Sequence, residues 1–182
     1  MNGYVLWSRT AHEGVPQVKR HVKASHANCT PATDGRHVVV SFGSEGLYCY
    51  DFTGRLLWKR GLGYLDAGPE GYDDLQWGYA SSPCLFGDRV IVQCDTRSQK
   101  FLAAFDVETG QPIWRVERDD HPTFSSPTVH VGPERTQVIV NGYARGYLRA
   151  AGLRRRVVKN RSNLSAGPIS SAKHHRIETA PG

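Results

Sequence analysis

The chain has 182 residues, of which 39% are hydrophobic and 22% are charged, a composition typical of a globular domain with a buried core. The net charge of +6 comes from the last part of the sequence: residues 1–143 hold 14 Lys/Arg and 16 Asp/Glu, whereas residues 144–182 hold nine Lys/Arg and one acid, Glu178. No run approaches the roughly 18 apolar residues that a membrane-spanning helix needs, and the start lacks a basic segment followed by an apolar one, so we expect neither a transmembrane segment nor a signal peptide in this chain.

The chain begins with a short segment of β character. Residues 1–9 read MNGYVLWSR, in which Gly3 and Trp7 stand four positions apart within an apolar run. Tyr, Val and Trp are enriched in strands. We expect residues 1–9 to form the outer strand of a truncated structural unit.

Residues 10–60 are predicted to form a link followed by one complete unit. This unit contains Thr30–Pro31, the β-branched run VVV, an alternating segment that ends at Asp51, and then Gly54 and Trp58. An aspartate can cap a turn through its own side chain and a glycine can adopt positive φ, so the D-x-T-G sequence predicts a hairpin between the last two strands. The four strands are expected at about 28–33, 37–42, 46–51 and 55–60.

Residues 61–118 repeat this order of features. A link at 61–79 is followed by a Ser-Pro pair, a VIV run and then Asp106, Gly110 and Trp114. The link is long for a connection between strands, and it combines acidic residues with aromatic ones. We predict a second complete unit in residues 61–118.

The third unit starts in phase and then stops. Residues 119–147 contain a Ser-Pro pair and a VIV run, and the period then predicts an aspartate, a glycine and a tryptophan at positions 148, 152 and 156. The sequence has Leu148, Gly152 and Arg156 there. We therefore expect a partial unit at 119–147, and a basic tail at 148–182 that is either disordered or the product of a shifted reading frame.

The three in-phase copies of G-x-x-x-W predict an all-β fold. Four short strands repeated at roughly 45–55 residues are typical of a β-propeller built from four-stranded antiparallel blades. We expect about two complete blades with partial blades on either side. The tryptophan of each copy is expected to pack against a neighbouring blade.

The D-x-x-T-G-x-x-x-W pattern, preceded by apolar strands and a Ser-Pro pair, resembles the repeat of the pyrroloquinoline quinone (PQQ)-like propellers over about residues 1–147. That superfamily includes quinoprotein alcohol dehydrogenases and BamB-like outer-membrane assembly lipoproteins. The resemblance implies an eight-bladed full-length relative and a periplasmic or extracytoplasmic parent protein. In the dehydrogenases it also implies PQQ held between a tryptophan and a disulfide of adjacent cysteines, with calcium and an aspartate base.

We assign no catalytic, cofactor-binding or metal-binding residue from the sequence. The four cysteines, at positions 29, 49, 84 and 94, form neither an adjacent pair nor a zinc motif, and we expect buried thiols. We therefore expect no cofactor in this chain, and PQQ and calcium would be possible only in the full-length protein. A binding face is expected where the links and the loops between second and third strands emerge, and solvated link residues are the alternative. The candidates on that face are His26, Asn28, Asp73, Asp74 and Trp77.

Two functions remain open from the sequence. The first is a non-catalytic propeller that binds other proteins or acts as a scaffold, and the alternative is a fragment of a PQQ-dependent alcohol or sugar dehydrogenase whose active-site residues lie outside this chain. We expect no specific nucleic-acid binding, because the basic tail has no interleaved aromatics. Open blade edges predict a tendency to self-associate.

Overall fold

The computed structural model describes residues 3–143, 146–150 and 158–159, and the secondary structure in these residues is almost entirely β. The strands form three sheets of four. The first sheet contains β1 (Ala32–Thr33), β2 (His37–Ser41), β3 (Leu47–Asp51) and β4 (Leu56–Arg60). The second contains β5 (Cys84–Phe86), β6 (Arg89–Asp95), β7 (Lys100–Asp106) and β8 (Pro112–Glu117). The third contains β9 (Thr128–Val131), β10 (Thr136–Asn141), β11 (Gly146–Ala150) and β12 (Val158–Lys159).

Each sheet is an antiparallel meander in which neighbours in sequence are neighbours in space. The first strands of adjacent sheets contact each other, β1 with β5 and β5 with β9. The sheets therefore converge on their first strands, as the blades of a propeller do. The prediction of an all-β propeller with four-stranded antiparallel blades is confirmed. Among the described residues, no helix has the length and apolar character needed to cross a membrane.

The third sheet extends beyond the predicted partial unit. Strand β11 pairs with β10 through residue 150, and β12 pairs with β11 at Leu148↔Val158. Strand β11 crosses the boundary that the sequence pattern places after Tyr147, and β12 lies beyond it. Most of residues 148–182 lie outside the described part of the chain, so the proposed division into a partial unit and a tail stays a prediction.

Two apolar clusters join the sheets. The cluster between the first and second sheets includes Val39, Leu47 and Val92, and the cluster between the second and third includes Ile91 and Val138. Neighbouring residues of β6 point to opposite faces, so Val92 meets one blade and Ile91 meets the other. This explains why the middle strand of a blade reads as a continuous apolar run, since it is buried on both faces.

The repeated tryptophan and glycine are contact partners across blades. Trp58 donates a hydrogen bond from Nε1 to the carbonyl oxygen of Val107 at 2.7 Å, and a Cβ on Gly110 would lie only 2.6 Å from the Trp58 ring. Gly110 also has φ +68°, in the left-handed region. Trp7 makes the same contact with Gly54, where an added Cβ would lie 2.6 Å from its ring.

An arginine two residues after each of these tryptophans completes the same contact. Arg9 Nε donates to the Gly54 carbonyl at 3.0 Å, and Arg60 Nε donates to the Gly110 carbonyl at 2.9 Å. The third copy departs from this pattern, because Val116 follows Trp114 at that position. The outer rim is therefore held by a W-x-R sequence in two of three copies.

The Ser-Pro and Thr-Pro pairs connect the blades near their first strands. The Thr30 amide donates to Ser82 Oγ at 2.8 Å, and the Ser82 amide donates to Ser126 Oγ at 2.8 Å. Ser81 Oγ donates to the Ser125 carbonyl at 2.7 Å. Each blade is thus hydrogen bonded to the next near the centre as well as at the rim.

The turn aspartates have the predicted role. Asp51 Oδ1 accepts hydrogen bonds from the amides of Thr53 and Arg55 at 2.9 and 3.0 Å. Asp106 Oδ1 accepts from the Thr109 amide at 2.8 Å. The hydrogen bond from the neighbouring threonine hydroxyl is the largest cause that lowers the pKa of each carboxyl below its usual value.

Candidate functional site

The links between blades and the loops between second and third strands lie together on one face of the molecule. The Leu65 amide, in the link 61–79, donates to Ser44 Oγ in the β2–β3 loop at 2.8 Å. Ser98, in the β6–β7 loop, donates its hydroxyl to the Tyr64 carbonyl. These bonds bring the loop face together from segments far apart in sequence.

Arg97 fixes the long link 61–79. Its Nε donates to Asp66 Oδ2 at 3.1 Å, and its Nη1 donates to the Tyr72 carbonyl at 2.9 Å. The Trp77 amide returns to the Ala67 carbonyl at 2.8 Å, so the link folds back on itself. Since these bonds involve partly buried groups, they give the link a defined shape.

A buried ion pair fixes the next link, which contains residues 118–127. Arg118 donates from Nε to Asp95 Oδ1 at 2.6 Å and from Nη2 to Asp95 Oδ2 at 3.0 Å. The Gln93 amide nitrogen donates to Asp95 Oδ2 at 2.7 Å and to the Asn141 carbonyl at 2.6 Å. This network joins the second and third blades directly below the loop face.

Between these two links lies a cleft of about 430 Å³. Three of its aromatic side chains are exposed: Trp77 at 39%, Phe124 at 41% and Tyr143 at 77%. The rings of Trp77 and Phe124 stack with centroids 6.3 Å apart, and the rings of His121 and Tyr143 meet edge to face at 5.4 Å. The lining residues are Gly68, Pro69, Glu70, Trp77, His121, Pro122, Phe124 and Tyr143.

Glu70 is the acidic residue of the cleft. Its Oε1 accepts a hydrogen bond from Lys100 Nζ at 2.8 Å, and its Oε2 lies 2.7 Å from His121 Nδ1. The hydrogen bond from Lys100 is the largest cause that lowers the pKa of this carboxyl, and that from His121 is the next. Glu70 is therefore ionised at neutral pH, and His121 Nδ1 is the donor in their bond.

The five sequence candidates occupy different places on this face. Trp77 lines the cleft, Asp73 Oδ1 lies 3.4 Å from Arg97 Nη1, and Asp74 is exposed on the same link. Asn28 accepts from the Ser25 amide at 3.2 Å, which is a local turn contact. His26 lines a small depression at the other end of the face, beside Val18 and Tyr79. The structure thus brings Trp77, but not the other four, into the cleft.

Sequence reasoning did not select His121, Phe124 or Tyr143. His121 and Phe124 lie in the link 118–127, and Tyr143 lies in the β10–β11 loop, so they come together only because that link and that loop meet on the loop face. The sequence did contain a signal for these residues: His121 and Phe124 shortly precede the third Ser-Pro pair, and Tyr143 follows the third VIV run.

The cysteines and rim tryptophans do not match the quinone site that the resemblance implies for dehydrogenases. Cys29, Cys49, Cys84 and Cys94 are free thiols. Burial raises the pKa of Cys94 to about 12, as expected for a thiol in an apolar interior. Trp7 and Trp58 are both engaged in contacts between blades. Among the described residues, no three His, Cys, Asp or Glu side chains are grouped to hold a metal.

Comparison with known proteins agrees with this architecture. The family described as "Outer membrane protein assembly factor BamB" matches residues 1–179. No curated protein matches the sequence. Among solved structures, the crystal structure of BamB from Moraxella catarrhalis is similar with a TM-score of 0.51 and 14% identity, covering 72% of this chain and 34% of that one. The chain thus spans about a third of the length of that protein, and the likeness supports the fold. By its match over nearly the whole sequence, the chain belongs to the family of the outer membrane protein assembly factor BamB.

Proposed function

We propose that this chain is part of a non-catalytic, extracytoplasmic propeller that binds other polypeptides during assembly of outer membrane proteins. The observation that carries the proposal is the aromatic cleft on the loop face. Exposed Trp and Tyr side chains in a concave, well-fixed surface are the residues that dominate binding energy in protein interfaces.

The rigidity of the cleft supports the same proposal. Its two walls are the links held by Arg97 and Arg118, so the aromatic rings are positioned before a partner arrives. A preorganised surface loses less conformational entropy on binding than a flexible one. The family description, an outer membrane protein assembly factor, supplies the class of process in which such a surface would act.

The test is gene replacement in the organism that encodes the chain. We expect the double substitution Trp77→Ala and Phe124→Ala to reduce the amount of folded β-barrel protein in the outer membrane as far as deletion of the gene does. A matched control is Phe52→Ala, because Phe52 is exposed to a similar degree, 47%, on the turn between β3 and β4. This control should behave as wild type.

The outcomes separate the site from the function. If deletion lowers folded outer membrane proteins and the double variant does not, the function stands and the cleft is the wrong site. If deletion itself has no effect on them, the proposed function is wrong. The dehydrogenase alternative predicts a different result, which is saturable binding of PQQ with calcium by the purified full-length protein.

A further inference from the structure

We propose that the cleft binds an arginine side chain of an extended polypeptide, with the guanidinium against the aromatic rings and hydrogen bonded to Glu70. The proposal rests on the proposed function and specifies the chemistry of the ligand. It follows from three properties of the cleft, namely its aromatic faces, its hydrogen-bond acceptors and its charge.

Aromatic ring faces make up much of the cleft surface. Trp77, Phe124 and Tyr143 expose ring surface to the same cleft. A planar cation placed over a tryptophan or tyrosine ring is attracted by the negative face of the π-system. A guanidinium stacks in this way more readily than an ammonium does, because it is planar and weakly hydrated.

Glu70 and His121 offer hydrogen-bond acceptors to the cleft. Glu70 is an ionised carboxylate with two oxygens and further lone pairs beyond those used by Lys100 and His121. Because His121 donates from Nδ1 to Glu70, its Nε2 is an acceptor in the neutral imidazole. A ligand that carries only donors satisfies both groups, and a guanidinium carries five N–H donors with no acceptor.

The charge of the surrounding link has the matching sign. Residues 61–79 contain four carboxylates and no Lys or Arg, and two cations from outside the link pair with them: Arg97 with Asp66 and Asp73, and Lys100 with Glu70. Arg20, whose Cβ lies near Gly78, directs Nη1 to the carbonyls of His21 and Val22 in its own link. The link therefore presents an excess of negative charge to an approaching cation.

Lys100 acts as an internal competitor for the same carboxylate. Its Nζ is 2.8 Å from Glu70 Oε1, and the Glu70 side chain is 43% exposed. An exposed pair of this kind contributes little to stability, so an incoming guanidinium can displace or share it. Removing the lysine charge should therefore strengthen binding of the ligand, whereas a purely structural role for Lys100 would weaken it.

The experiment uses the whole chain and two fluorescent pentapeptides, Gly-Gly-Arg-Gly-Gly and the same peptide with citrulline, an uncharged isostere, in place of arginine. Binding is measured by fluorescence anisotropy. We expect the arginine peptide to bind more tightly than the citrulline peptide by about tenfold, which corresponds to about 1.4 kcal/mol. Glu70→Gln should reduce arginine affinity about fivefold, and Lys100→Met should increase it about threefold.

Controls separate binding from folding. Glu134→Gln removes a carboxylate outside the cleft lining and should leave both affinities unchanged. Thermal unfolding of each variant shows whether the fold persists, and the opposite signs expected for Glu70→Gln and Lys100→Met cannot both arise from loss of structure. Equal affinity for the two peptides overturns the arginine proposal and leaves polypeptide binding intact. If neither peptide binds, the arginine proposal is overturned, and the gene-replacement test still decides the proposed function.

Discussion

At the scale of single residues, the contact between Trp58 and Gly110 explains the spacing of the repeat. Two independent features require glycine at position 110, namely its positive φ and the Trp58 ring that lies against it. A side chain at this position would have to push aside an indole that is hydrogen bonded to the backbone. Trp114 follows Gly110 by four residues and lies on β8, so this interval sets the position of the Trp114 ring relative to the turn.

Gly110→Ala should therefore be much more costly than an alanine at another glycine of similar backbone. We expect a loss of about 2–4 kcal/mol in the free energy of unfolding, from left-handed φ and overpacking together. Gly87→Ala is the matched control, since Gly87 has φ +57° and an added Cβ there would meet nothing within 4 Å. Urea unfolding of the two variants measures the difference, and equal losses would contradict the role given to Trp58.

The residue type and the repeat period were enough to predict that each tryptophan packs between neighbouring blades. The sequence did not predict that the tryptophan ring covers the glycine of the next blade, because the two residues are about fifty positions apart in the chain. The cleft was even harder to predict from the sequence. Glu70 and His121 form one hydrogen bond across 51 residues, and neither lies in a repeated position. A period reveals what the blades share, whereas a binding site depends on where they differ.

At the scale of elements, a buried histidine links the first and second blades. His37 Nδ1 lies 2.8 Å from Asp34 Oδ2, and His37 Nε2 lies 3.4 Å from Glu108 Oε2. Burial alone would lower the pKa of His37, but the two carboxylates outweigh it and raise the pKa above 6.5. Burial would raise the pKa of Asp34, and the hydrogen bonds from His37 and Arg36 instead lower it to about 2.

This contact should make stability depend on pH in a defined direction. A raised histidine pKa stabilises the fold below pH 6.5, and this contribution is lost as the pH rises through the folded-state pKa. A lowered aspartate pKa stabilises the fold above pH 3.8, and this contribution is lost as the pH falls towards 2. We expect the difference in unfolding free energy between wild type and His37→Asn to be largest between about pH 4 and 6.5.

Urea unfolding of both proteins at a series of pH values measures that difference, in which the other titrating groups cancel. A difference that stays constant from pH 5 to pH 9 would show that folding leaves the pKa of His37 unchanged, which contradicts the raised pKa. The sequence did not reveal this contact, because the histidine and Glu108 come from different blades and only the fold brings them together.

At the scale of the whole molecule, the segment before Trp7 is apolar and exposed. Trp7 is fixed on the turn of the first sheet, yet Tyr4, Val5 and Leu6 before it are exposed at 78%, 85% and 83%. By its position relative to Trp7, this segment aligns in the repeat with the residues that precede Trp58 in β4, but residues 3–9 form no strand. An exposed apolar segment is a site for association with another chain.

The chain on its own should therefore self-associate, and Val5→Lys should reduce that association. Analytical ultracentrifugation over a range of concentrations measures it. Val22→Lys is a suitable control, because Val22 is exposed to a similar degree, 83%, in the link that follows. Identical sedimentation of wild type and Val5→Lys would place the association, if any, at another surface.

Trp7 and Trp58 each reach forward to the following blade, so the contact belongs to a pair of repeats and to neither one alone. The turn between the third and fourth strands of a blade is fully packed only when the preceding blade supplies its tryptophan ring. The structural unit is therefore offset along the chain from the unit that repeats in the sequence. Adding or deleting one full period at any point in the chain leaves each tryptophan with a glycine ahead of it. A fraction of a period breaks that relation. The number of blades in such a protein can therefore change by whole repeats, and the repeat can be inserted or deleted at any position along the chain.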